Sequence, residues 1–198
     1  MVDKMIKEDI FSTFILEDNI KVNVDELNKY AYELKNKNIK TKRIPSTQGG
    51  FHSDDLHLEE PVLQPLIKAI TKMSYVYCRE LKVKEKYALS LANMWFVINN
   101  QNHYNSPHNH PFSFLSGAFY TKSGADSGDI VFLNPNPKIE GYWFDGAWKE
   151  YNMYQSGSIM KESLTNKIIL FPSWLAHHVT PNKTKEDRIV WSFNIQLI

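Results

Sequence analysis

Two histidines separated by one residue, His108 and His110, are the clearest chemical feature of the sequence. Side chains alternate faces on an extended strand, so both rings are expected on one side, roughly 6–7 Å apart along the backbone. Pro107 and Pro111 flank the pair. A residue before proline favours extended backbone, which places the pair at a strand end. Because imidazole binds iron, copper, nickel and zinc, the pattern predicts a two-pronged transition-metal site.

A second group of residues, His177, His178 and Arg188, lies far along the chain. A third histidine from a distant strand would complete a facial triad and leave coordination positions open for substrate and oxygen. Neighbouring strand residues face opposite sides, so only one of His177 and His178 is expected to bind metal. An iron centre that uses an oxo-acid co-substrate needs a cation, and Arg188 can bind a carboxylate through two parallel hydrogen bonds.

The last predicted strand has two chemically different faces. One face carries Arg188, Val190, Ser192 and Asn194, and the other carries Ile189, Trp191, Phe193 and Ile195. This alternation predicts a strand between a helix-covered surface and a polar cavity, with Ser192 as a further hydroxyl donor near Arg188. The alternative is an ordinary half-buried strand with its arginine in solvent.

The periodicity changes from helical to alternating near residue 88, and this change predicts the fold class. Helices are expected at 24–36, where Asp25 can act as the cap, and at 60–81. A first strand is expected at 9–16 and a long loop at 41–57. Further strands are expected at 88–99, 114–121, 129–134, 140–144, 152–160, 167–171, 174–180 and 187–197. Eight short strands favour a mainly β jelly roll with the helices on the outside of one sheet.

Length and composition limit the possible partners. The 198 residues fit a single domain, in which residues 1–87 pack on a β core formed by 88–198. The 23 basic and 22 acidic residues give no reason to expect nucleic acid or a membrane surface as a partner. Cys78 is the only cysteine, which excludes an intramolecular disulfide and favours a reducing cytoplasm. The oligomeric state is left open, a homodimer included.

The block Phe171-Pro172-Ser173, followed by His177, Val179, Pro181 and Arg188, resembles the distal half of the iron(II)- and 2-oxoglutarate-dependent dioxygenases. It is most similar to a small bacterial and phage group of these oxygenases. Further similar blocks are Ile10-Phe11, Gly49-Gly50-Phe51-His52-Ser53, Ser116-Gly117-Ala118-Phe119-Tyr120, Gly128-Asp129-Ile130-Val131-Phe132 and Asn134-Pro135. The resemblance implies a cupin-like double-stranded β-helix that uses Fe(II), 2-oxoglutarate and O2, with ascorbate as a reductant.

Carried over by position, the resemblance implies iron ligands at His108, His110 and His177. It also implies a clamp for the oxo acid at Arg188, helped by Tyr120. The family's usual first motif is His-x-Asp or His-x-Glu, and this sequence has His110 at the acid position. A neutral imidazole there raises the charge of the metal centre by one unit. The remaining histidines, His52, His57, His103 and His178, are not expected to be ligands.

Three functions follow as hypotheses. The first is an oxygenase that hydroxylates an unidentified substrate, either a protein side chain such as peptidyl-proline or a small metabolite. The second is a three-histidine cupin-like metalloprotein that does not use 2-oxoglutarate, such as a thiol dioxygenase or an isomerase. The third is a metal-binding or structural jelly roll without turnover. Arg188 distinguishes the first from the others, because a buried cation facing the metal has little purpose without an anionic co-substrate.

Overall fold

The structure is a computed structural model that describes residues 6–39, 46–136 and 146–198. Within these ranges there are two α-helices, α1 (Val24–Asn36) and α2 (Gln64–Glu80), the second preceded by a 3₁₀ turn at Pro61–Leu63. The same ranges contain eleven strands: β1 (Leu16–Asn19), β2 (Thr47–Gln48), β3 (Phe51–His52), β4 (Leu89–Asn99), β5 (Tyr104–His108), β6 (Leu115–Lys122), β7 (Ile130–Leu133), β8 (Ser158–Lys161), β9 (Lys167–Pro172), β10 (His177–Val179) and β11 (Arg188–Leu197).

The strands form two antiparallel sheets. One has six strands in the order β1-β9-β6-β11-β4-β3, and the other has five in the order β2-β5-β10-β7-β8. From β4 to β11 the chain crosses repeatedly from one sheet to the other, and only β7 and β8 follow each other within the same sheet. This is the double-stranded β-helix, or jelly roll, and its eight core strands agree with the predicted fold class.

Both helices cover the outer face of the six-stranded sheet. Helix α1 begins where the Asn23 side chain accepts a hydrogen bond of 3.3 Å from the backbone N–H of Glu26, so Asn23, and not the predicted Asp25, is the cap. The helices bury Leu27, Ala31, Leu66, Ile70 and Tyr77 against the sheet. In the described part of the chain, neither helix is long and apolar enough to cross a membrane.

Strand β11 lies at the centre of this arrangement. It pairs with β4 on one side and with β6 on the other. Ile189, Trp191, Phe193 and Ile195 pack into the core under the helices. Arg188, Val190 and Ser192 face a cavity between the two sheets. The predicted two-faced strand is therefore confirmed, and the alternative of a solvent-exposed arginine is wrong because Arg188 is fully buried.

The predicted first strand at 9–16 is wrong, since β1 begins only at Leu16. Phe11 has a φ of 56°, a left-handed conformation that interrupts an extended chain. Phe14 stacks on Tyr77 with ring centroids 4.3 Å apart, and its carbonyl accepts a hydrogen bond from the Tyr77 hydroxyl. Phe14 is thus held by helix α2 and not by strand pairing, whereas Ile10 and Phe11 are exposed.

The remaining differences concern short strands. The predicted loop at 41–57 contains β2 and β3, which are too short to produce a visible alternation. The sequence placed the pair His108 and His110 at a strand end, and β5 does end at His108, although His110 lies beyond it. The rest of β5 was missing from the predicted strands, because Pro107 and several polar residues hide its pattern. The segment predicted at 152–160 begins with a turn closed on Asn152, whose side-chain oxygen accepts from the N–H of Tyr154, so that β8 starts at Ser158. The strand predicted at 140–144 lies outside the described residues.

Candidate metal centre

Three segments that are distant in sequence bring His108, His110 and His177 together. His108 ends β5 and is paired with His177, the first residue of β10. His110 lies in the loop that follows β5. Its backbone N–H donates a hydrogen bond of 2.9 Å to the carbonyl of Ser173. The potential ligand atoms of the three rings lie within 4.8 Å of one another. This spacing suits three imidazoles around one divalent ion.

Backbone hydrogen bonds orient two of these rings in the same way. Nδ1 of His108 donates to the Ser106 carbonyl at 2.8 Å, and Nδ1 of His177 donates to the Leu175 carbonyl at 3.0 Å. A carbonyl can only accept, so each ring carries its proton on Nδ1 and keeps the Nε2 lone pair free. Fixing the tautomer from outside in this way is typical of histidines that bind metals.

The electrostatic environment keeps the three rings neutral. Burial lowers the pKa of His110 to about 4, with a smaller contribution from His108. Burial lowers the pKa of His177 to about 3, and the neighbouring histidines make a smaller contribution in the same direction. Burial also lowers the pKa of His108. Because a metal binds only unprotonated imidazole, all three rings are ready to act as ligands at neutral pH.

The histidines face a cavity of about 270 Å³ between the sheets. Its wall includes all six residues that the sequence indicated: His108, His110, Tyr120, His177, Arg188 and Ser192. Other lining residues are Ser46, His52, Trp95, Asn105 and Phe171. Among the described residues, no aspartate or glutamate lines this cavity.

Arg188 is a fully buried cation in the same cavity. Its Nη1 donates to the Gly128 carbonyl at 2.9 Å and its Nη2 donates to Oδ1 of Asn99 at 3.0 Å. Its Nε is buried without a hydrogen-bond partner. Burial lowers the Arg188 pKa, although Tyr120 and, to a smaller extent, the charge of Asp129 oppose this effect. A buried guanidinium with an unpaired N–H is able to bind an anion, which would satisfy a donor that is costly to leave without a partner.

The other histidines do not join the metal cluster in the described part of the chain. His178 follows His177 on β10 and is half-buried. His52 lines the cavity, where it stacks on Trp95 with ring centroids 5.8 Å apart. His57 is exposed, and Nδ1 of His103 accepts from the N–H of Asn100.

Several residues of the site were not predicted from the sequence. Asn99 and Gly128 hold the guanidinium of Arg188, and Asn105 donates to the hydroxyl of Ser46 beside His108. Asn99 is a polar residue at the end of an apolar strand, in phase with Trp95 and Val97, and this was a usable signal. The other contacts depend on the folding of distant loops and have no local signature.

The comparisons with known proteins agree with this geometry. The sequence matches a family model described as "Putative 2OG-Fe(II) oxygenase" over residues 93–194, slightly more than half of the chain. That region contains the three clustered histidines and Arg188. No curated protein sequence matches the chain significantly.

Solved structures with the same fold have little sequence in common with this chain. A prolyl-4-hydroxylase from Pseudomonas putida matches with a TM-score of 0.62 and 11% identity, covering 93% of this chain and 94% of that one. A prolyl hydroxylase from Trichoplax adhaerens, in complex with a hypoxia inducible factor peptide fragment, matches with a TM-score of 0.62 and 10% identity, covering 92% and 83%. HygX from Streptomyces hygroscopicus, with nickel and 2-oxoglutarate bound, matches with a TM-score of 0.57 and 10% identity, covering 93% and 83%. At these identities the likeness shows a common fold.

Proposed function

The chain belongs to the 2OG-Fe(II) oxygenase family, and from this premise we propose that it hydroxylates a prime substrate using Fe(II), O2 and 2-oxoglutarate. The observation that carries the proposal is the presence, in one cavity, of three neutral clustered histidines and a buried arginine with an unpaired N–H. Metal and anion sites together match the needs of an oxo-acid-dependent oxygenase.

We assign the metal to His108, His110 and His177. The donor set fits, because three neutral imidazoles bind a divalent ion and leave up to three coordination positions open. The carbonyls of Ser106 and Leu175 hold two of the rings in the orientation that a ligand needs. Bound Fe(II) would supply the oxygen-activating chemistry of the family, coupled to the conversion of 2-oxoglutarate to succinate.

We assign the remote carboxylate of 2-oxoglutarate to Arg188. A carboxylate there would satisfy the Nε–H, and it would be held in a desolvated pocket where a bidentate pair is stronger than on the surface. Tyr120 and Ser192 line the same cavity and are candidate hydroxyl donors to this carboxylate. Gly128 and Asn99 act as positioning residues, because they fix the guanidinium through its other nitrogens.

The alternative is a three-histidine metalloprotein of the cupin type that does not use 2-oxoglutarate. The cavity wall favours it in one respect, since it has no carboxylate among the described residues. The buried Arg188 speaks against it, because the alternative assigns no anion to this cation.

The test is an anaerobic titration of Fe(II)-loaded protein with 2-oxoglutarate, followed through the metal-to-ligand charge-transfer band. The wild type should develop the band and, with ascorbate and O2, should convert 2-oxoglutarate slowly to succinate without a prime substrate. Arg188→Met should weaken 2-oxoglutarate binding by about 3–5 kcal/mol, as when one partner of a buried ion pair is removed. Arg188→Lys should weaken it less, because the charge remains and only the planar fork is lost.

Metal affinity is the internal control, and it should be unchanged in both variants because Arg188 is not a ligand. A wild-type protein that binds Fe(II) but never develops the band would overturn the proposal in favour of the alternative. A band of equal affinity in Arg188→Met would move the carboxylate site elsewhere.

A further inference from the structure

Among the described residues, none gives the metal end of the cavity a negative charge of its own. The three clustered rings are neutral imidazoles, and no aspartate or glutamate lines the cavity among the described residues. A divalent ion here would therefore keep its full charge of two units. One carboxylate of 2-oxoglutarate would neutralise one of them, since the proposed function assigns the other carboxylate to Arg188.

The nearby carboxylate of Asp129 belongs to the other end of the cavity. Asp129 immediately precedes β7 and follows Gly128, whose carbonyl accepts from Nη1 of Arg188. His177 pairs with Phe132, three residues further along the same strand, which is roughly 10 Å away. Oδ1 of Asp129 already accepts a hydrogen bond from the backbone N–H of Ser163. Asp129 thus lies away from the histidines and does not neutralise a divalent ion bound to them.

The hydroxyl of Ser46, beside the histidines, is a second observation about what this end of the cavity can bind. Oγ of Ser46 lies 3.4 Å from Nε2 of His108, the nitrogen that would bind the metal. The same oxygen accepts from Nδ2 of Asn105 at 3.2 Å, so its own proton is free to be donated. Once His108 binds a metal, the half-buried Ser46 hydroxyl loses this acceptor and can donate to another group beside the ion.

From these two observations we propose that the prime substrate presents an anionic oxygen, of the carboxylate class, to the metal end of the cavity, where Ser46 donates to it. The inference rests on the proposed function and names its substrate class. It follows from the cost of leaving a charge uncompensated in a partly buried cavity, beside a hydroxyl that has a proton to donate. An anionic group compensates the charge of the metal ion and also accepts a hydrogen bond from Ser46. A neutral substrate can only accept the hydrogen bond.

The test uses zinc-loaded protein saturated with 2-oxoglutarate, titrated calorimetrically with acetate and with its neutral isostere acetamide. Acetate should bind at least about tenfold more tightly than acetamide, a difference of about 1.4 kcal/mol. His110→Asp adds the missing negative charge and should reduce acetate affinity by at least about tenfold while leaving acetamide unchanged. Ser46→Ala should reduce acetate affinity by about tenfold, the usual effect of a hydrogen bond to a charged group.

Ser158→Ala is the matched control, because it removes an exposed hydroxyl of the same sheet that does not line the cavity. Its acetate affinity should equal that of the wild type. Equal binding of acetate and acetamide, or an acetate preference that survives both His110→Asp and Ser46→Ala, would overturn the inference and leave the oxygenase assignment intact. Failure of the wild type to bind metal or 2-oxoglutarate would overturn both together.

Discussion

At the scale of single residues, the site depends on which ring nitrogen of each histidine is free. His108 and His177 both donate Nδ1–H to the carbonyl of the residue two positions earlier. Each ring is thereby fixed by the backbone just before it, which leaves its Nε2 available as a ligand atom within the cluster. His178 has the opposite orientation on β10, because neighbouring strand residues face opposite sides. The difference between His177 and His178 is therefore one of strand geometry and not of chemistry.

Substitution of the two adjacent histidines tests the ligand assignment. His177→Ala should lower metal affinity by more than about 100-fold, since it removes a ligand outright and even supporting residues contribute 10–100-fold. His178→Ala should keep the wild-type affinity. Isothermal titration with Zn(II) measures both, and His108→Ala should behave like His177→Ala. The reverse order for the adjacent pair would invert the assignment.

The lowered pKa values of the histidines predict how stability depends on pH. His110 and His177 have pKa values of about 4 and about 3 in the folded, metal-free protein, compared with an ordinary value of 6.5. Between the ordinary pKa of 6.5 and these lowered values, the unfolded chain therefore binds more protons than the folded chain. The free energy of unfolding falls as the pH falls through this range. The free energy of unfolding should be highest above about pH 6.5 and should decrease towards pH 4. Each pKa unit by which folding lowers the pKa of a histidine corresponds to about 1.4 kcal/mol.

Urea titrations of metal-free protein between pH 7 and 4.5 measure this slope, because most carboxylates stay ionised in that range. His110→Asn should make the slope shallower. A free energy of unfolding that does not change with pH over this range would show that the rings are not desolvated in the folded state.

At the scale of elements, the turn before β7 positions the arginine of β11. Gly128 has a φ of +96°, and its carbonyl accepts from Nη1 of Arg188. A Cβ at this position would lie 2.6 Å from Nη1 and would also strike the carbonyl of Thr180. Only glycine allows this turn to approach the guanidinium so closely.

Gly128→Ala should therefore destabilise the protein by roughly 1–3 kcal/mol, the usual cost of overpacking, and weaken 2-oxoglutarate binding as Arg188 is displaced. Gly124→Ala is the matched control in the same connection, because a Cβ there meets nothing within 4 Å. Chemical denaturation and the anaerobic 2-oxoglutarate titration measure the two effects. Indistinguishable behaviour of the two variants would show that the turn does not hold the arginine.

At the scale of the whole molecule, helices α1 and α2 complete the core of the six-stranded sheet. Phe96, Trp191 and Phe193 lie on the sheet face that the helices cover, and all three are fully buried. Without the helices this face would be a large exposed apolar patch. We therefore expect residues 1–87 to be needed for a stable jelly roll.

A fragment of residues 88–198 tests this dependence. It should aggregate or bind the hydrophobic dye ANS strongly, whereas the full chain should do neither. Size-exclusion chromatography and dye fluorescence are the measurements, with the full chain at equal concentration as the control. A monomeric fragment that binds Zn(II) and no dye would mean that the sheets are stable without the helices.

The sequence alone determined the fold class, and it predicted residues that line one cavity in the structure. The alternation in β11 assigned Arg188 and Ser192 to one face, and the helical stripes assigned α1 and α2 to the outside, because both patterns record which side of an element is buried. Spacing and resemblance identified the three histidines and Tyr120, which line the same cavity. Their roles as ligands and anchors stay predictions.

Only the tertiary structure decided how these residues are held and what surrounds them. The partners of Arg188 come from β4 and from the turn before β7, and Ser46 reaches His108 across sixty-two positions of the chain. Strands β2, β3 and β5 are defined by pairing with other strands, and their short or polar sequences carry no alternation of their own. Local periodicity reports burial along one element, whereas these contacts arise from loop closure between distant elements, which no local pattern records.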